Sequence, residues 1–386
     1  MTLEEKLSIL SDAAKYDVSC SFGERRKNFV YYSAANGKYI PILKILLSNA
    51  CIYDCAYCIN RKSNNIRRAT FTVDEVVKLT LDLYKRNYIE GLFLSSAIIR
   101  DPNYTMEQMI KVAKKLKEEE KFPGYIHLKI IPGADDKLIE KAGMFADRVS
   151  INVEFLKKEV FFNLTPEKKP EEIQRPLHIS SIKYLQYVEE KKRHPHVNPY
   201  SPLGQTTQII VGATNESDKK IIEFSNKLYK VYKLKRVYYS GYVAINNDER
   251  LPQKSENPLR EHRLYQADFL IRFYNYSIEE IFDSSENLDL NIDPKTLWAL
   301  KHPELFPIDI SRAKFDELIR IPGIGLKSAR KIIELRKYGT LNLDALEKIG
   351  VSLKRAKDFI TVKGKTFKDL KTYMPLFEFS QNEYDS

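Results

Sequence analysis

Glycine and proline are scarce in this 386-residue chain, 14 and 17 residues, which excludes collagen-like and low-complexity architectures. Long apolar runs are absent too. The most apolar early stretch, Ile40 to Leu47, is broken by Lys44 and falls far short of the roughly 20 residues of a membrane span. The first ten residues, MTLEEKLSIL, carry acids where a secretory leader is basic, so nothing directs export and a cytoplasmic protein with no membrane partner is expected. Cysteine is rarer still: Cys20, Cys51, Cys55 and Cys58 are all there are, and three fall within eight positions. That clustering excludes a disulfide framework and implies a reducing compartment. What is present is 43% hydrophobic and 30% charged residues, a globular composition long enough for one large domain and a smaller one. Lys and Arg number 63 against 52 Asp and Glu, a balance of +11 that favours a polyanionic partner.

Strand and helix patterns alternate along most of the chain. An amphipathic helix (Leu3, Leu7, Leu10, Ala14) precedes a buried strand at 40–47, and Thr72 and Glu75 form a capping box before a helix bearing Val76, Leu79 and Leu83. Strands follow at 91–96, 125–131, 148–154, 208–211 and 234–242, with helices at 105–120, 135–142, 179–190 and 218–232 between them. Right-handed crossovers wind such a series into a parallel sheet whose functional loops lie at the strand C-termini. The pattern leaves open whether the sheet closes. Residues 246–260 read as a polar loop and 261–274 as a helix with Leu264, Ala267, Ile271 and Tyr274 on one stripe; by spacing a domain-docking helix is the plainer reading, with Arg260, Arg263 and Arg272 left for phosphate or acid partners.

Cys51, Cys55 and Cys58 have the spacing C-x3-C-x2-C directly after a strand. A structural zinc wants four ligands, and Cys20 lies thirty-one residues upstream with no His near. A 4Fe-4S cluster can be held by three thiolates with one iron left open. The triplet, with aromatic Tyr57 before its last cysteine, resembles the signature of the radical S-adenosylmethionine superfamily. That resemblance implies a partial (β/α)6 barrel, a 4Fe-4S cluster on Cys51, Cys55 and Cys58, and S-adenosylmethionine cleaved by an electron from the cluster to a 5′-deoxyadenosyl radical. It also implies cofactor-binding roles for Tyr57, for Ser95 and Ser96 at the methionyl amino group, and for Asn152 or Glu154 at the ribose. The acid that usually follows the small residues is missing after Ser96.

From Ser311 to Lys365 there are 14 Lys and Arg against 6 Asp and Glu, most of the basic excess. Here Pro322-Gly323-Ile324-Gly325 separates two apolar helical stretches, and Lys327, Arg330 and Lys331 begin the second. The glycines permit a tight turn and close approach to a surface, and the amides that start the second helix suit a phosphodiester. The segment resembles a helix-hairpin-helix motif, with a degenerate copy around Gly350. A glycosylase class joins such a motif to an iron-sulfur cluster, but with four cysteines after the hairpin; here three lie far before it. With Gln208–Asp218, Arg236–Ser240, Pro258–Tyr274 and Asp293–Leu300 added, nearly the whole chain resembles a family of radical S-adenosylmethionine proteins assigned to DNA modification or repair.

The expected organisation is therefore an α/β fold with an N-terminal helical segment (1–39), the barrel (40–245), a bridging helical segment (246–310), an α-helical helix-hairpin-helix domain (311–365) and a tail (366–386). The expected activity is radical modification or repair of a nucleotide in DNA, with flavodoxin or ferredoxin as electron donor. An RNA-modifying enzyme and a non-catalytic DNA-binding iron-sulfur protein are the alternatives. Glu261 and His262 are candidate proton relays, though a paired polar helix residue is the plainer reading; His194 and His196 have no third ligand nearby.

Overall fold

The computed structural model describes residues 1–16, 29–35, 38–339 and 341–366; Cys20 and the expected tail beyond its first residue lie outside them. The chain divides into two compact units, 1–216 with 223–261, and 217–222 with 262–386.

The first unit is built on one seven-stranded sheet: β1 (Val30–Ala35), β2 (Lys38–Leu46), β3 (Gly91–Ser95), β4 (Tyr125–Lys129), β5 (Arg148–Ser150), β6 (Gln205–Val211) and β7 (Arg236–Gly241), in that spatial order. Strands β2 to β7 are parallel and β1 pairs antiparallel with β2, so the expected six-strand series forms a half-barrel that stays open among the described residues. Strands β3 and β4 are buried at every position, as parallel strands covered on both faces must be. The crossovers include α2 (Val73–Lys85), which starts at the predicted Thr72–Glu75 box and buries Val76, Leu79 and Leu83. The N-terminal 1–39 is not wholly helical. After α1 (Leu3–Ala13) the chain enters β1, whose Tyr-rich run lacked the clear alternation that would mark a strand.

In the second unit, the hairpin segment holds short helices 315–318, 326–335, 343–348 and 353–356 around one core of Ile310, Leu318, Ile321, Ile332, Leu346 and Ile360. The bridge expected at 246–310 is divided: 246–261 belongs with the sheet, and 262–310 with the hairpins. The reason is packing that composition does not show. Arg263 donates to the Asp289 and Leu290 carbonyls, and the Arg320 guanidinium lies 3.9 Å from the Tyr276 ring and 4.9 Å from that of Trp298. The other bridge arginines are also spent internally, Arg260 on Glu256 at 2.7 Å and Arg272 on Asp268 at 3.3 Å, and so are not left for phosphate.

Candidate active site

Strand β2 delivers the cysteine loop to the C-terminal end of the sheet, and a set of polar contacts from distant segments fixes it there. Within the loop Tyr53 N–H points at Cys51 Sγ and Asn60 N–H at Cys58 Sγ, each at 3.4 Å. The Arg68 guanidinium donates to four carbonyls, those of Asn49, Asn60, Arg61 and Asn64. Asn246 donates to the Ala56 and Cys58 carbonyls, while Asp248 accepts from Arg61 at 3.0 Å and from Arg250 at 2.7 Å. Those two guanidiniums, the Arg250 hydrogen bond foremost, hold the Asp248 carboxyl far below the usual carboxylate range. The stretch 246–250, legible in sequence only as a polar loop, is thus a clamp on the cysteines. Asn-Asn-Asp-x-Arg has no pattern that announces this.

Cys51, Cys55 and Cys58 line a cavity of about 210 Å³ whose walls also include Ser95, Ser96, Asn152 and Glu154. All the residues expected at the cofactor, Tyr57 included, are therefore brought together. Glu154 gets there through a bulge: Ser150 pairs with Thr206 but Glu154 with Ile209, so β5 spends one residue more than β6, and Glu154 has φ +63°. Its carboxylate accepts the Tyr57 hydroxyl and the Lys168 ammonium, the latter at 3.0 Å. Lys168 also donates to the Tyr57 oxygen at 3.1 Å. Burial works against the Lys168 charge, yet Cys55, Glu154 and Tyr57 hold its pKa well above the usual value. Burial pushes the Cys55 thiol up to about 12 and the Cys58 thiol to about 11. Lys168 was missed because its neighbours in sequence, Glu167 and Lys169, make it look like one more surface charge.

The donor chemistry fits a cluster with a chelating ligand. Among the described residues no three His, Cys, Asp or Glu side chains converge on a single metal ion. Asn60 Oδ1, Asn152 Oδ1 and the Tyr242 hydroxyl are buried without a protein partner, and all three residues line the cavity. Orphaned polar atoms of this kind are costly unless a bound molecule satisfies them. Glu261 does not face the cavity as a relay: its carboxylate accepts the Gly241 N–H at 3.0 Å and so holds the end of β7. His262, His194 and His196 are exposed.

In the hairpin unit Gly323 (φ +82°) is required by packing. A Cβ there would come within 2.5 Å of the Ser352 carbonyl, and the Gly323 carbonyl accepts the Ser352 N–H at 3.0 Å. Ser328 returns the contact by donating to the Ile349 and Gly350 carbonyls. The second, degenerate turn is thus the partner that shapes the first. Gly325 stands at the N-cap of the helix Leu326–Leu335 with no side-chain cap, and Lys327, Arg330 and Lys331 are exposed on that helix.

No protein-family model and no curated protein matches the sequence. Similar solved structures include the FeFe-hydrogenase maturase HydG from Carboxydothermus hydrogenoformans, at 14% identity over 58% of this chain and 50% of that one, with a TM-score of 0.42. Methylornithine synthase (PylB) is similar at 16% identity over 68% of this chain and 67% of that one (TM-score 0.41), and Streptococcus suis SuiB at 13% over 69% and 52% (TM-score 0.40). The chain spans about half the length of the HydG and SuiB chains it is similar to.

Proposed function

We propose that this chain is a radical S-adenosylmethionine enzyme acting on nucleic acid, DNA in preference to RNA. The observation that carries the reading is that Cys51, Cys55 and Cys58 line one cavity at the C-terminal mouth of an open parallel half-barrel, beside buried polar atoms that no protein group satisfies. The three thiolates would hold a 4Fe-4S cluster, and Ser95, Ser96, Asn152 and Tyr57 would hold S-adenosylmethionine. Together these groups would supply a 5′-deoxyadenosyl radical by reductive cleavage of the sulfonium, with flavodoxin or ferredoxin as electron donor. The protein's own work is positional. Tyr57 is fixed by Glu154 and Lys168, and Leu46, Ile130, Ile131 and Ile210 supply apolar wall that keeps water from a reactive centre.

Nucleic acid is favoured by the second unit. The uncapped start of the helix Leu326–Leu335, beside exposed Lys327, Arg330 and Lys331, suits phosphodiester contact independent of sequence. A helix-hairpin-helix reading of Phe315–Leu335 and Leu343–Ala356 rests on this arrangement and on the Gly323 and Gly350 turns.

Anaerobic reconstitution tests the whole. Dithionite-reduced protein is expected to form 5′-deoxyadenosine and methionine slowly alone and faster with DNA than with tRNA, and DNA deuterated at the reacting carbon should pass deuterium to the deoxyadenosine. Faster turnover with tRNA alone would make RNA the substrate. Cleavage under no condition would leave a non-catalytic nucleic-acid-binding iron-sulfur protein.

A further inference from the structure

A turn far from the cysteine loop in sequence is bonded directly to it and brings a buried lysine with it. The turn follows the helix Lys158–Leu164 and carries Lys168. Two main-chain donors of the cysteine loop hold it: Ala56 N–H donates to the Leu164 carbonyl at 2.8 Å, and Asp54 N–H to the Glu167 carboxylate at 3.1 Å. The Thr165 carbonyl closes the turn by accepting the Lys168 N–H at 2.9 Å, while the Thr165 hydroxyl, fully buried, donates to the Phe161 carbonyl at 3.0 Å. Tyr57 and Phe161 both pack edge-on against Phe155, with ring centres 5.4 and 5.5 Å apart, so one aromatic stack joins the cysteine loop to the helix before the turn. These contacts leave the Lys168 side chain 12% exposed, at the wall of the cavity that Cys51, Cys55 and Cys58 also line.

The Lys168 ammonium donates to the Tyr57 oxygen at 3.1 Å and to both Glu154 oxygens at 3.0 Å, which uses its three protons. An ion pair of this kind is neutral from a distance but not at close range, where its orientation counts. Burial raises the Cys55 thiol, and of the charges that act on it Lys168 leads, with Glu154 following in the opposite sense. At Cys58, after burial and the Asn60 N–H, Lys168 again acts more strongly than Glu154. The pair therefore presents its positive end to the thiols.

Three thiolates on a 4Fe-4S core leave a negative site, and the electron taken from a donor makes it more so; net charge and nearby dipoles set the potential at which that happens. We infer that Lys168 is the charge that tunes the cluster: held at the cavity wall by Tyr57 and Glu154, it raises the reduction potential, and Glu154 trims the effect. The inference rests on reading the cavity as the active site of a radical enzyme, and it gives that site a residue lying outside the cysteine motif. A lysine that merely braced Tyr57 would have no such influence on the potential.

The test is potentiometric titration of anaerobically reconstituted protein without S-adenosylmethionine, followed by the visible absorbance of the cluster and the paramagnetic signal of its reduced form. Lys168→Met should lower the midpoint by at least about 59 mV, tenfold in a one-electron reduction equilibrium, and Lys168→Arg should keep most of the wild-type value. Glu154→Gln removes the counter-charge and should move the midpoint upward. The double variant should fall between the two single ones and below wild type. Opposite shifts from the two halves of one ion pair are what a bracing role does not produce. Iron content and circular dichroism report whether each variant keeps its cluster and fold. If Lys168→Met does not, Glu154→Gln decides: a rise supports the inference and no rise overturns it. A midpoint unchanged in Lys168→Met, or lowered alike in Lys168→Met and Glu154→Gln, would overturn it too, while wild-type protein would still bind iron and cleave the cofactor. Wild-type protein that holds no iron-sulfur cluster would instead overturn the radical-enzyme reading, and the inference with it.

Discussion

The two units use positive charge in opposite ways. In the sheet unit Lys44, Lys129 and Lys168 are buried or nearly so, each placed against a specific group or cavity wall. In the hairpin unit Lys327, Arg330, Lys331, Lys337 and Lys354 stand in solvent. A buried cation is costly and acts over a few ångströms on one ligand; an exposed one costs little and sums with its neighbours into a field that a polyanion feels at a distance. The difference teaches that net charge alone misleads here. The balance of +11 advertises the hairpin unit and says nothing of the buried lysines of the sheet unit.

The comparison breaks most sharply at the cysteines. Cys51→Ala, Cys55→Ala or Cys58→Ala should each abolish the roughly four iron per chain that a cluster requires and all cofactor cleavage, while duplex binding by the hairpin unit is unchanged. Cys20→Ala should leave iron intact. Zinc in place of iron-sulfur absorbance after anaerobic purification would refute the assignment. Next in size, Gly325→Val with Lys327→Glu should weaken binding to unrelated duplexes about equally, by roughly tenfold or more, and lower the salt dependence by about two phosphate contacts. Iron content reads the first unit in the same sample and should not move. A Cβ at Gly325 meets only the Tyr274 hydroxyl at 3.6 Å, so that variant should fold.

Gly323 sharpens the contrast within the hairpin unit. Both its positive φ and the 2.5 Å approach of the Ser352 carbonyl forbid a side chain, so Gly323→Ala should cost about 1–3 kcal/mol of that unit's stability. Denaturant unfolding followed by the fluorescence of Trp298, the chain's single tryptophan, reads that unit. An unchanged midpoint would mean that the turn relaxes without cost.

How much of this was legible in the sequence follows from the same contrast. Local patterns carried through: the Thr72–Glu75 box folds from its neighbours, and the six parallel strands come from an alternation visible along the chain. What failed were contacts made across long separations. Lys168 meets Tyr57 over 111 residues, and Asn246 meets Ala56 over 190. The bulge at Glu154 is a register event between strands, which no single strand announces. The packing need at Gly323 was illegible for the same reason: the crowding that forbids a side chain there comes from Ser352, twenty-nine residues on.

The smallest expected effect concerns Lys295, which among the described residues of the hairpin unit is buried as the lysines of the sheet are. Lys295 is 8% exposed, donates to the Ile324 carbonyl at 2.6 Å within the Pro-Gly-x-Gly turn, and has its ammonium 4.9 Å from the Tyr274 ring. Burial, reinforced by Arg355, lowers its pKa to about 7. In the unfolded chain a lysine titrates near 10.4, so between about pH 7 and 10 the unfolded state binds a proton that the folded state does not. Stability of the hairpin unit should therefore rise with pH across that window, by at most about 1.4 kcal/mol per pH unit, and fall as pH drops toward 7. Trp298 fluorescence in denaturant titrations at pH 7, 8 and 9 measures the slope, below the range in which the buried Tyr276 phenol ionises. Lys295→Met keeps the apolar stem and removes the titrating group, so its slope should be flatter while the cluster absorbance loses none of its own pH dependence. Identical slopes in the two proteins would show that Lys295 stays charged when folded, and that even the buried cation of this unit is hydrated like its exposed neighbours.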